Sequence, residues 1–177
     1  MILIIDTNEK ENSLHYFEFV KPVQDLIKKQ SKVIHFTKVT KKDLNKAEKI
    51  IICGTSLINK EYLKKYKKFL WIKSINKPIL GICAGMQIIG KIFNSRLKKS
   101  KEIGPVIVTQ VKKDRLFENI KEVYTLHSIG ITTPKEFQVL LKNKKNVQAI
   151  KHKKKEMYGV LFHPEVLNKE IIIKFAE

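Results

Sequence analysis

The decapeptide PILGICAGMQ, residues 78–87, gives the strongest indication of the fold in this sequence. Its first five residues form an apolar run typical of a buried parallel strand, and residues 84–93 then carry apolar side chains at helical spacing. No loop separates the two segments, and the junction is only Cys83, flanked by Gly81 and Gly85. This pattern predicts a nucleophile elbow, the sharp strand-to-helix turn that exposes a nucleophile, with cysteine in the place of serine.

Each residue type at this junction has a physical reason. A turn this sharp brings the backbone on the two sides of Cys83 close together, so a Cβ on either glycine is expected to collide. The sulfur would lie at the N-terminus of the helix, where unpaired N–H groups and the helix dipole favour thiolate over thiol. A buried structural cysteine in a strand–helix corner would give the same local pattern. Other parts of the sequence are therefore needed to distinguish a nucleophile from a structural cysteine.

The N-terminal half alternates apolar runs with helical patterns, which predicts parallel βαβ units in an open sheet. Such sheets bind ligands at the carboxyl ends of their strands. Gly54 and Cys83 both follow strands directly, so we expect them to face the same crevice. The predicted strands are residues 1–5, 32–36, 49–53 and 78–82, and the predicted helices are residues 19–29, 62–71 and 84–93.

After residue 93 the pattern changes to short apolar segments separated by turns, which predicts an antiparallel extension of the sheet. The predicted strands of this half are residues 103–111, 123–127, 137–141, 147–150 and 158–162, and a last helix is predicted for residues 168–175. The expected fold class is therefore α/β, with an open, mostly parallel twisted sheet flanked by helices and extended by antiparallel strands. Residues 1–177 are expected to form a single domain.

Composition limits the cellular setting. The two cysteines, Cys53 and Cys83, provide no framework for disulfides or a metal site, which suits a reducing cytoplasm. No apolar run approaches the roughly 20 residues that span a bilayer, and the N-terminus lacks the pattern of a signal peptide. The formal net charge is +19, but the basic residues are almost all lysine and are spread along the chain. Nucleic-acid binding is therefore disfavoured, although a module of that kind remains an alternative.

The second candidate motif is FHPEV, residues 162–166, directly after the apolar segment 158–162. A catalytic cysteine needs a base that is held by a third group. Pro164 fixes its own φ and favours an extended conformation at His163, and residues two apart in an extended chain face the same side. We therefore expect the Glu165 carboxylate to orient the His163 imidazole.

With both motifs in view, the chain resembles the class I (triad) glutamine amidotransferases. Residues 81–87, GICAGMQ, match the G-x-C-x-G-x-Q motif of that family, and residues 158–166, YGVLFHPEV, match its segment around G-V-Q-F-H-P-E. Residues 149–152, AIKH, resemble the A-x-x-H strand that precedes that segment. The resemblance covers nearly the whole chain, and the motifs follow in the expected order.

The resemblance implies a mechanism. Cys83 would attack the side-chain amide carbon of L-glutamine, His163 would take the thiol proton and pass it to the leaving ammonia, and Glu165 would hold His163. Water would then release glutamate from the thioester. The N–H of Ala84 and an N–H of the Gly54-Thr55 loop would stabilise the oxyanion. Gln87 and the backbone near His127 and Ser128 are implied to bind the amino-acid end of glutamine. No cofactor or metal is implied in this chain.

The oxyanion loop departs from the family pattern. Thr55 stands where the second glycine, a backbone donor, is usual, and threonine tolerates positive φ poorly. We therefore expect this half of the oxyanion hole to be missing, rearranged or completed by a partner. The same departure favours the alternative of a non-hydrolytic regulatory or scaffold relative. Leu161 replaces the usual glutamine, which predicts only a change in packing.

The ammonia needs an acceptor. No P-loop motif G-x-x-x-x-G-K occurs in the sequence, so ATP and magnesium are expected in a separate synthetase subunit. Residues 149–154 and 163–166 resemble the stand-alone glutaminase subunit of archaeal GMP synthase, which favours its ATP-pyrophosphatase as the partner. His127-Ser128 instead resembles the glutaminase subunits of anthranilate and aminodeoxychorismate synthases. These, an unassigned amidotransferase and a stand-alone γ-glutamyl hydrolase remain alternatives.

Overall fold

The structure is a computed structural model that describes residues 1–177. The strands are β1 (Ile2–Asp6), β2 (Ser31–His35), β3 (Lys49–Ile52), β4 (Ile79–Ile82), β5 (Leu97–Ile107), β6 (Thr109–Gln110), β7 (Glu122–Ile131), β8 (Phe137–Lys142), β9 (Val147–His152) and β10 (Met157–Val160). The helices are α1 (His15–Phe19), α2 (Lys21–Asp25), α3 (Lys41–Lys46), α4 (Glu61–Lys64), a 3-10 helix (Tyr66–Lys73), α5 (Ala84–Ile92) and α6 (Glu170–Ala176).

The main sheet has eight strands in the order β2-β1-β3-β4-β10-β9-β8-β6. The pairings from β2 to β10 are parallel, and those from β10 to β6 are antiparallel. The predicted α/β class with a mostly parallel sheet and an antiparallel extension is therefore confirmed. The segments predicted at residues 103–111 and 123–127 differ, because most of each belongs to a separate two-stranded sheet of β5 and β7.

The parallel strands are buried on both faces. Alternate residues of β1 enter different clusters of apolar side chains, Ile2 and Ile4 on one side and Leu3 and Ile5 on the other. This follows from the period of two along a strand, and it explains why the strand sequences are continuous isoleucine-rich runs rather than alternating ones. The sheet consequently holds the carboxyl ends of β3, β4 and β10 rigidly at one edge.

The helices differ most from the sequence prediction. The helix predicted at residues 19–29 is two short helices that end at Asp25, and Pro22 lies at the start of the second, where its missing N–H costs nothing. The helix predicted at residues 62–71 is α4 followed by the 3-10 helix. Its buried residues Phe69 and Ile72 are three apart, which is the repeat of a 3-10 helix.

The lysine excess lies outside the core. No lysine or arginine is among the buried residues, and most of the ion pairs that lysines form involve exposed side chains. Pairs of that kind each contribute about 0–1 kcal/mol to stability. None of the helices has both the length and the apolar character needed to cross a membrane.

Candidate active site

Cys83 lies in the predicted sharp turn between β4 and α5. Its backbone has φ 46° and ψ −96°, an unfavourable region for a non-glycine residue that costs about 1–3 kcal/mol. A Cβ on Gly81 would lie 2.6 Å from the backbone carbon of Gly85, as expected. Gly85 has a different reason, because a Cβ there would lie 2.4 Å from the carbonyl oxygen of Ile52 in β3. The two glycines thus let the turn close and let the helix approach the neighbouring strand.

His163 and Glu165 form a buried pair beside this turn. The imidazole Nδ1 lies 2.7 Å from Glu165 Oε1, and the two residues are 1% and 5% exposed. The expected contact is present, but the chain is not extended there. β10 ends at Val160, and the N–H of Val166 donates to the His163 carbonyl at 3.1 Å, so a turn brings the two side chains together.

The carboxyl ends of three neighbouring strands converge on the imidazole. Gly54 follows β3, and a Cβ on it would lie 2.7 Å from His163 Cε1 and 3.5 Å from Cys83 Cβ. Only a residue without a side chain therefore leaves room for the imidazole. The predicted shared crevice of Gly54 and Cys83 is present, and His163 occupies its third side. The ring of Phe19 covers the imidazole at a centroid separation of 5.6 Å.

The electrostatics of His163 are dominated by its neighbours. Burial lowers the pKa of His163, but the Glu165 carboxylate and the Cys83 sulfur outweigh burial and raise that pKa well above its usual range. Nδ1 faces the carboxylate, whereas Nε2 is buried without a hydrogen-bond partner apart from the nearby thiol. The imidazole is therefore held at one nitrogen and available for proton transfer at the other.

Three backbone N–H groups at the site are free. Those of Gly54, Thr55 and Ala84 donate to no acceptor in the protein. Ala84 is the first residue of α5, so its N–H has no partner within the helix. The family resemblance implied that the N–H of Ala84 and one N–H of the Gly54-Thr55 loop form an oxyanion hole.

Thr55 does not have the strained backbone that the family pattern suggested. It is not among the residues with positive φ, so the expected conflict between a threonine side chain and a left-handed backbone does not arise. Its hydroxyl donates to Asn8 Oδ1 at 2.8 Å and accepts from Asn59 Nδ2 at 2.9 Å. The Thr7 hydroxyl also bonds the carbonyl oxygens of Cys53 and Gly54, at 2.9 and 3.1 Å. The side chains of Thr55 and Thr7 thus hold the loop in place.

Gln87 is used differently from the expectation. Its side chain is buried, with Oε1 accepting from the Tyr62 hydroxyl and Nε2 donating to the Ile129 carbonyl at 2.8 Å. The structure therefore places Gln87 as a link between α5 and β7, with its amide engaged by protein groups. β7 in turn borders the nucleophile, because the Cys83 thiol lies 3.6 Å from the Leu126 carbonyl oxygen.

His127 and Ser128 have different surroundings. Ser128 Oγ accepts from Lys60 Nζ at 2.9 Å and donates to the Leu57 carbonyl at 3.3 Å. His127 is 1% exposed, with Nδ1 3.0 Å from the Ser100 carbonyl oxygen and Nε2 3.2 Å from Glu102 Oε2. Its ring is thus a structural element of the β5–β7 sheet, and the His127 side chain is not available to a ligand.

Sequence reasoning missed the buried network around Glu102. This carboxylate accepts hydrogen bonds from Asn143 at 2.9 Å, Asn146 at 2.7 Å, Gln148 at 3.0 Å and His127 at 3.2 Å. Burial alone would raise the pKa of Glu102, but these bonds outweigh it and lower that pKa. The partners lie 25 to 46 positions from Glu102 in sequence, so no local signal could have revealed the network. It ties the β5–β7 sheet to the main sheet.

The geometry supports nucleophilic chemistry. A thiol in a strained turn, an imidazole that can take its proton and a carboxylate behind the imidazole are the parts of a Cys–His–acid triad. The free N–H groups nearby can stabilise a developing oxyanion. No group of three or more His, Cys, Asp or Glu side chains is arranged to hold a metal ion.

Comparison with protein families identifies the family to which the chain belongs. The family model for glutamine amidotransferase class-I matches residues 9–172, a range that includes both motifs discussed above. The chain therefore belongs to the class I glutamine amidotransferase family.

Individual relatives carry more specific names. The chain is 34% identical over 102 residues to a glutamine-hydrolyzing GMP synthase subunit of Methanosphaera stadtmanae, a match that covers 54% of this chain and 55% of that relative. It thus spans about half the length of this relative. With the corresponding GMP synthase subunit of Pyrococcus abyssi it shares 31% identity over 140 residues, which cover 73% of this chain and 71% of the relative.

Solved structures agree on the fold. A candidate GMP synthase subunit from Thermoplasma acidophilum has a TM-score of 0.83 at 22% identity, covering 99% of this chain and 90% of that one. A glutamine amidotransferase from Thermotoga maritima has a TM-score of 0.71 at 18% identity, covering 99% of this chain and 89% of that one. At these identities the likeness concerns the fold alone.

Proposed function

We propose that this chain is the glutaminase subunit of a glutamine amidotransferase, which hydrolyses L-glutamine to glutamate and ammonia. The observation that carries the proposal is Cys83 at φ 46°, beside the buried pair of His163 and Glu165. The strained turn would have no purpose if Cys83 were only a packing residue, because an ordinary strand end accommodates Cys53 without such a cost.

In the proposed reaction His163 takes the thiol proton, and the Cys83 sulfur forms a bond to the amide carbon. The C–N bond then breaks while His163 returns the proton to nitrogen, so that ammonia leaves and a γ-glutamyl thioester remains. A water molecule, deprotonated by His163, attacks the thioester, and glutamate departs as the thiol is restored. Glu165 keeps Nδ1 protonated and Nε2 directed to the reacting atoms.

The oxygen of the amide carbonyl becomes an oxyanion in both steps. We assign its stabilisation to the N–H of Ala84 and an N–H of the loop at Gly54 and Thr55, which have no other acceptor in the protein. Since Asn8 and Asn59 hold Thr55 in place, the loop needs no rearrangement to present its backbone. The free donors and the held loop argue against the non-hydrolytic alternative.

The ammonia is proposed to pass to a separate ATP-dependent synthetase subunit, with ATP and magnesium bound there and no cofactor in this chain. The names of the relatives favour the synthetase of GMP synthase, since Methanosphaera and Pyrococcus proteins similar to this chain are named as glutamine-hydrolyzing subunits of that enzyme. The anthranilate and aminodeoxychorismate synthases remain the alternative. The chain is proposed to work in the cytoplasm.

The test is ammonia release from L-glutamine by the purified chain, alone and with the ATP-pyrophosphatase of a GMP synthase, ATP and xanthosine monophosphate. We expect release that Cys83→Ala abolishes and that the matched control Cys53→Ala retains. Anthranilate and aminodeoxychorismate synthase subunits serve as the comparison partners. If no partner and no condition gives release that depends on Cys83, the proposal is wrong and the non-hydrolytic alternative is favoured.

A further inference from the structure

A single buried hydroxyl bonds two successive peptide carbonyls in the loop that follows β3. Thr7, in the segment directly after β1, is 0% exposed. Its Oγ1 lies 2.9 Å from the Cys53 carbonyl oxygen and 3.1 Å from the Gly54 carbonyl oxygen. The Thr7 side chain therefore sets the direction of both carbonyl groups.

The direction of a carbonyl also fixes that of the N–H group in the same peptide. In a planar trans peptide the C=O and N–H bonds point to opposite sides. Since both carbonyls are directed to Thr7, the N–H groups of Gly54 and Thr55 are directed away from it, and neither has an acceptor in the protein. Successive N–H groups of a turn form a concavity that binds anions. Gly54 packs against His163 and Cys83, so this pair of donors borders the candidate nucleophile.

A rotation of either peptide would remove these donors. Turning over the peptide between Gly54 and Thr55 would break its bond to Thr7 and bring the Gly54 carbonyl oxygen to the side of the N–H groups. The partial negative charge of that oxygen would then repel a developing oxyanion. The Thr7 hydroxyl opposes this rotation, because a buried carbonyl that loses its donor is costly.

Two asparagines hold the groups that make this contact. Asn59 Nδ2 donates to the Thr7 carbonyl at 3.0 Å and to Thr55 Oγ1 at 2.9 Å. The Thr55 hydroxyl in turn donates to Asn8 Oδ1 at 2.8 Å. All four residues are buried, so water does not compete for these hydrogen bonds. The segment after β1 and the loop after β3 are thus joined on two sides of the peptides that carry the free donors.

We propose that Thr7 is a positioning residue of the oxyanion hole, and that its contacts keep the hole assembled without a partner subunit. The inference rests on the proposed function and describes how the proposed site is regulated. The chain hydrolyses L-glutamine alone, because no synthetase has to turn the loop into its working conformation. Thr7 touches no reacting atom, and it acts through the N–H groups of Gly54 and Thr55.

The test measures ammonia release from L-glutamine by the purified chain without a partner, in Thr7→Val and Thr7→Ser. Valine has nearly the shape of threonine but no hydroxyl, whereas serine keeps the hydroxyl. We expect Thr7→Val to lower kcat about 10- to 100-fold and to change KM less than about threefold, because the oxyanion exists only during the reaction. Thr7→Ser should keep kcat within about threefold of the wild-type value, since the donor to both carbonyls is retained.

A second variant approaches the same loop from its other side. Thr55→Val keeps the backbone donor and the bonds of Thr7, but it removes the bonds to Asn8 and Asn59. It should also lower kcat with little change in KM. The proposal therefore stays testable if Thr7→Val does not fold.

Two controls separate positioning from a general loss of structure. Alkylation of Cys83 by iodoacetamide uses the thiol and the imidazole but no oxyanion hole, so its rate in Thr7→Val should stay within about twofold of the wild-type rate. Thr125→Val is the matched variant, because Thr125 is also 0% exposed and its hydroxyl donates to a backbone carbonyl, that of Gly104, at 3.0 Å. Its kcat should stay within about twofold of the wild-type value, since that carbonyl belongs to no peptide of the oxyanion loop.

An unchanged kcat in Thr7→Val or Thr55→Val would overturn the positioning role. An equal fall of kcat in Thr125→Val, or slower alkylation of Cys83 in Thr7→Val, would overturn it as well, because the site as a whole would then have changed. If wild-type release that depends on Cys83 requires a synthetase, the preassembled hole is wrong and the glutaminase proposal stands. If no condition gives such release, the proposed function itself fails.

Discussion

Two neighbouring strand ends, those of β3 and β4, each carry a buried cysteine, and their differences separate a packing residue from a candidate nucleophile. Cys53 and Cys83 are 0% and 4% exposed. The Cys53 N–H pairs with the Ile5 carbonyl at 3.0 Å, as in a regular sheet. Burial, followed by the charges of Glu165 and Asp6, raises the pKa of Cys53 well above its usual range.

Cys83 has the same burial but a different backbone and a different neighbour. The turn places its sulfur at the start of α5, and His163 lies beside it as a proton acceptor. Burial therefore does not distinguish the two cysteines. The strained turn and the imidazole do, and both depend on glycines that remove side chains from the crowded junction.

The largest expected effect comes from blocking the close approach of α5 to β3 with Gly85→Ala. The new Cβ would lie 2.4 Å from the Ile52 carbonyl oxygen, and neither backbone can move without disturbing the sheet. We expect a loss of about 3 kcal/mol or more in the free energy of unfolding, measured by urea denaturation.

Gly104→Ala is its control. Gly104 also has an unusual backbone, with φ 99°, but no atom lies within 4 Å of the new Cβ. Its cost should be the smaller conformational one, about 1–2 kcal/mol. Equal losses in the two variants would show that close packing against Ile52 is not what constrains Gly85.

The second prediction compares the two thiols directly. Iodoacetamide should alkylate Cys83 at least about 100-fold faster than Cys53 at pH 7.5, because the thiolate is the reacting form, Cys53 is held protonated, and His163 beside Cys83 can take the proton of that thiol. Peptide mass spectrometry over time gives both rates. Comparable rates under native conditions would remove the distinction between the strand ends, whereas the rates should converge in 6 M guanidinium chloride.

The same comparison explains what the sequence could predict. The parallel strands, the elbow and the contact of His163 with Glu165 follow from patterns within a few residues, so they were predicted correctly. The sheet to which residues 103–111 and 123–127 belong and the turn between His163 and Glu165 were not. The expected strain at Thr55 was wrong, since its backbone conformation depends on Asn8 and Asn59, which lie elsewhere in the chain.

Contacts between segments that are distant in the sequence could not be predicted. Glu102 is a single acidic residue within a lysine-rich strand, and its partners on β7 and β9 and in the turn between β8 and β9 become recognisable only when the chain is folded. Lys60 is one lysine among many, and its bond to Ser128 joins residues 68 positions apart. A polar residue in a sequence carries no sign of whether it will be buried against another.

The third prediction concerns the His163 imidazole, which lies beside Cys83 at the end of β4. Glu165 is the largest of the influences that raise the pKa of His163, and the Cys83 sulfur is the next. Glu165→Gln should therefore lower that pKa more than Cys83→Ala does, as measured by NMR titration of the imidazole nitrogens. A larger decrease in Cys83→Ala would contradict this order.

The change in pKa has a consequence for stability. Since the folded-state pKa of His163 lies above its ordinary value of 6.5, the charged imidazole contributes stability that is fully present below pH 6.5 and is lost as the pH rises through the folded-state pKa. Glu165→Gln should reduce this dependence. Urea midpoints between pH 6 and pH 9 measure it.

The smallest expected effect tests the network that supports the strand beside Cys83. Glu102→Gln replaces an acceptor oxygen with an NH₂ group that faces other donors, which should cost about 1–3 kcal/mol at pH 7. The matched control is Glu118→Gln, which removes an exposed carboxylate paired with Lys174 and should cost less than about 1 kcal/mol.

The pH dependence identifies the carboxylate as the source of that difference. Because the folded-state pKa of Glu102 lies below its ordinary value of 4.5, its contribution to stability is present above pH 4.5 and is lost as the pH falls through the folded-state pKa. The gap between wild-type and Glu102→Gln urea midpoints should therefore narrow on acidification from pH 6 to pH 3. A gap that stays constant would mean that the charge of Glu102 does not contribute to stability. The hydrogen bond from Gln87 to the Ile129 carbonyl would then be the main polar contact that holds β7 beside Cys83.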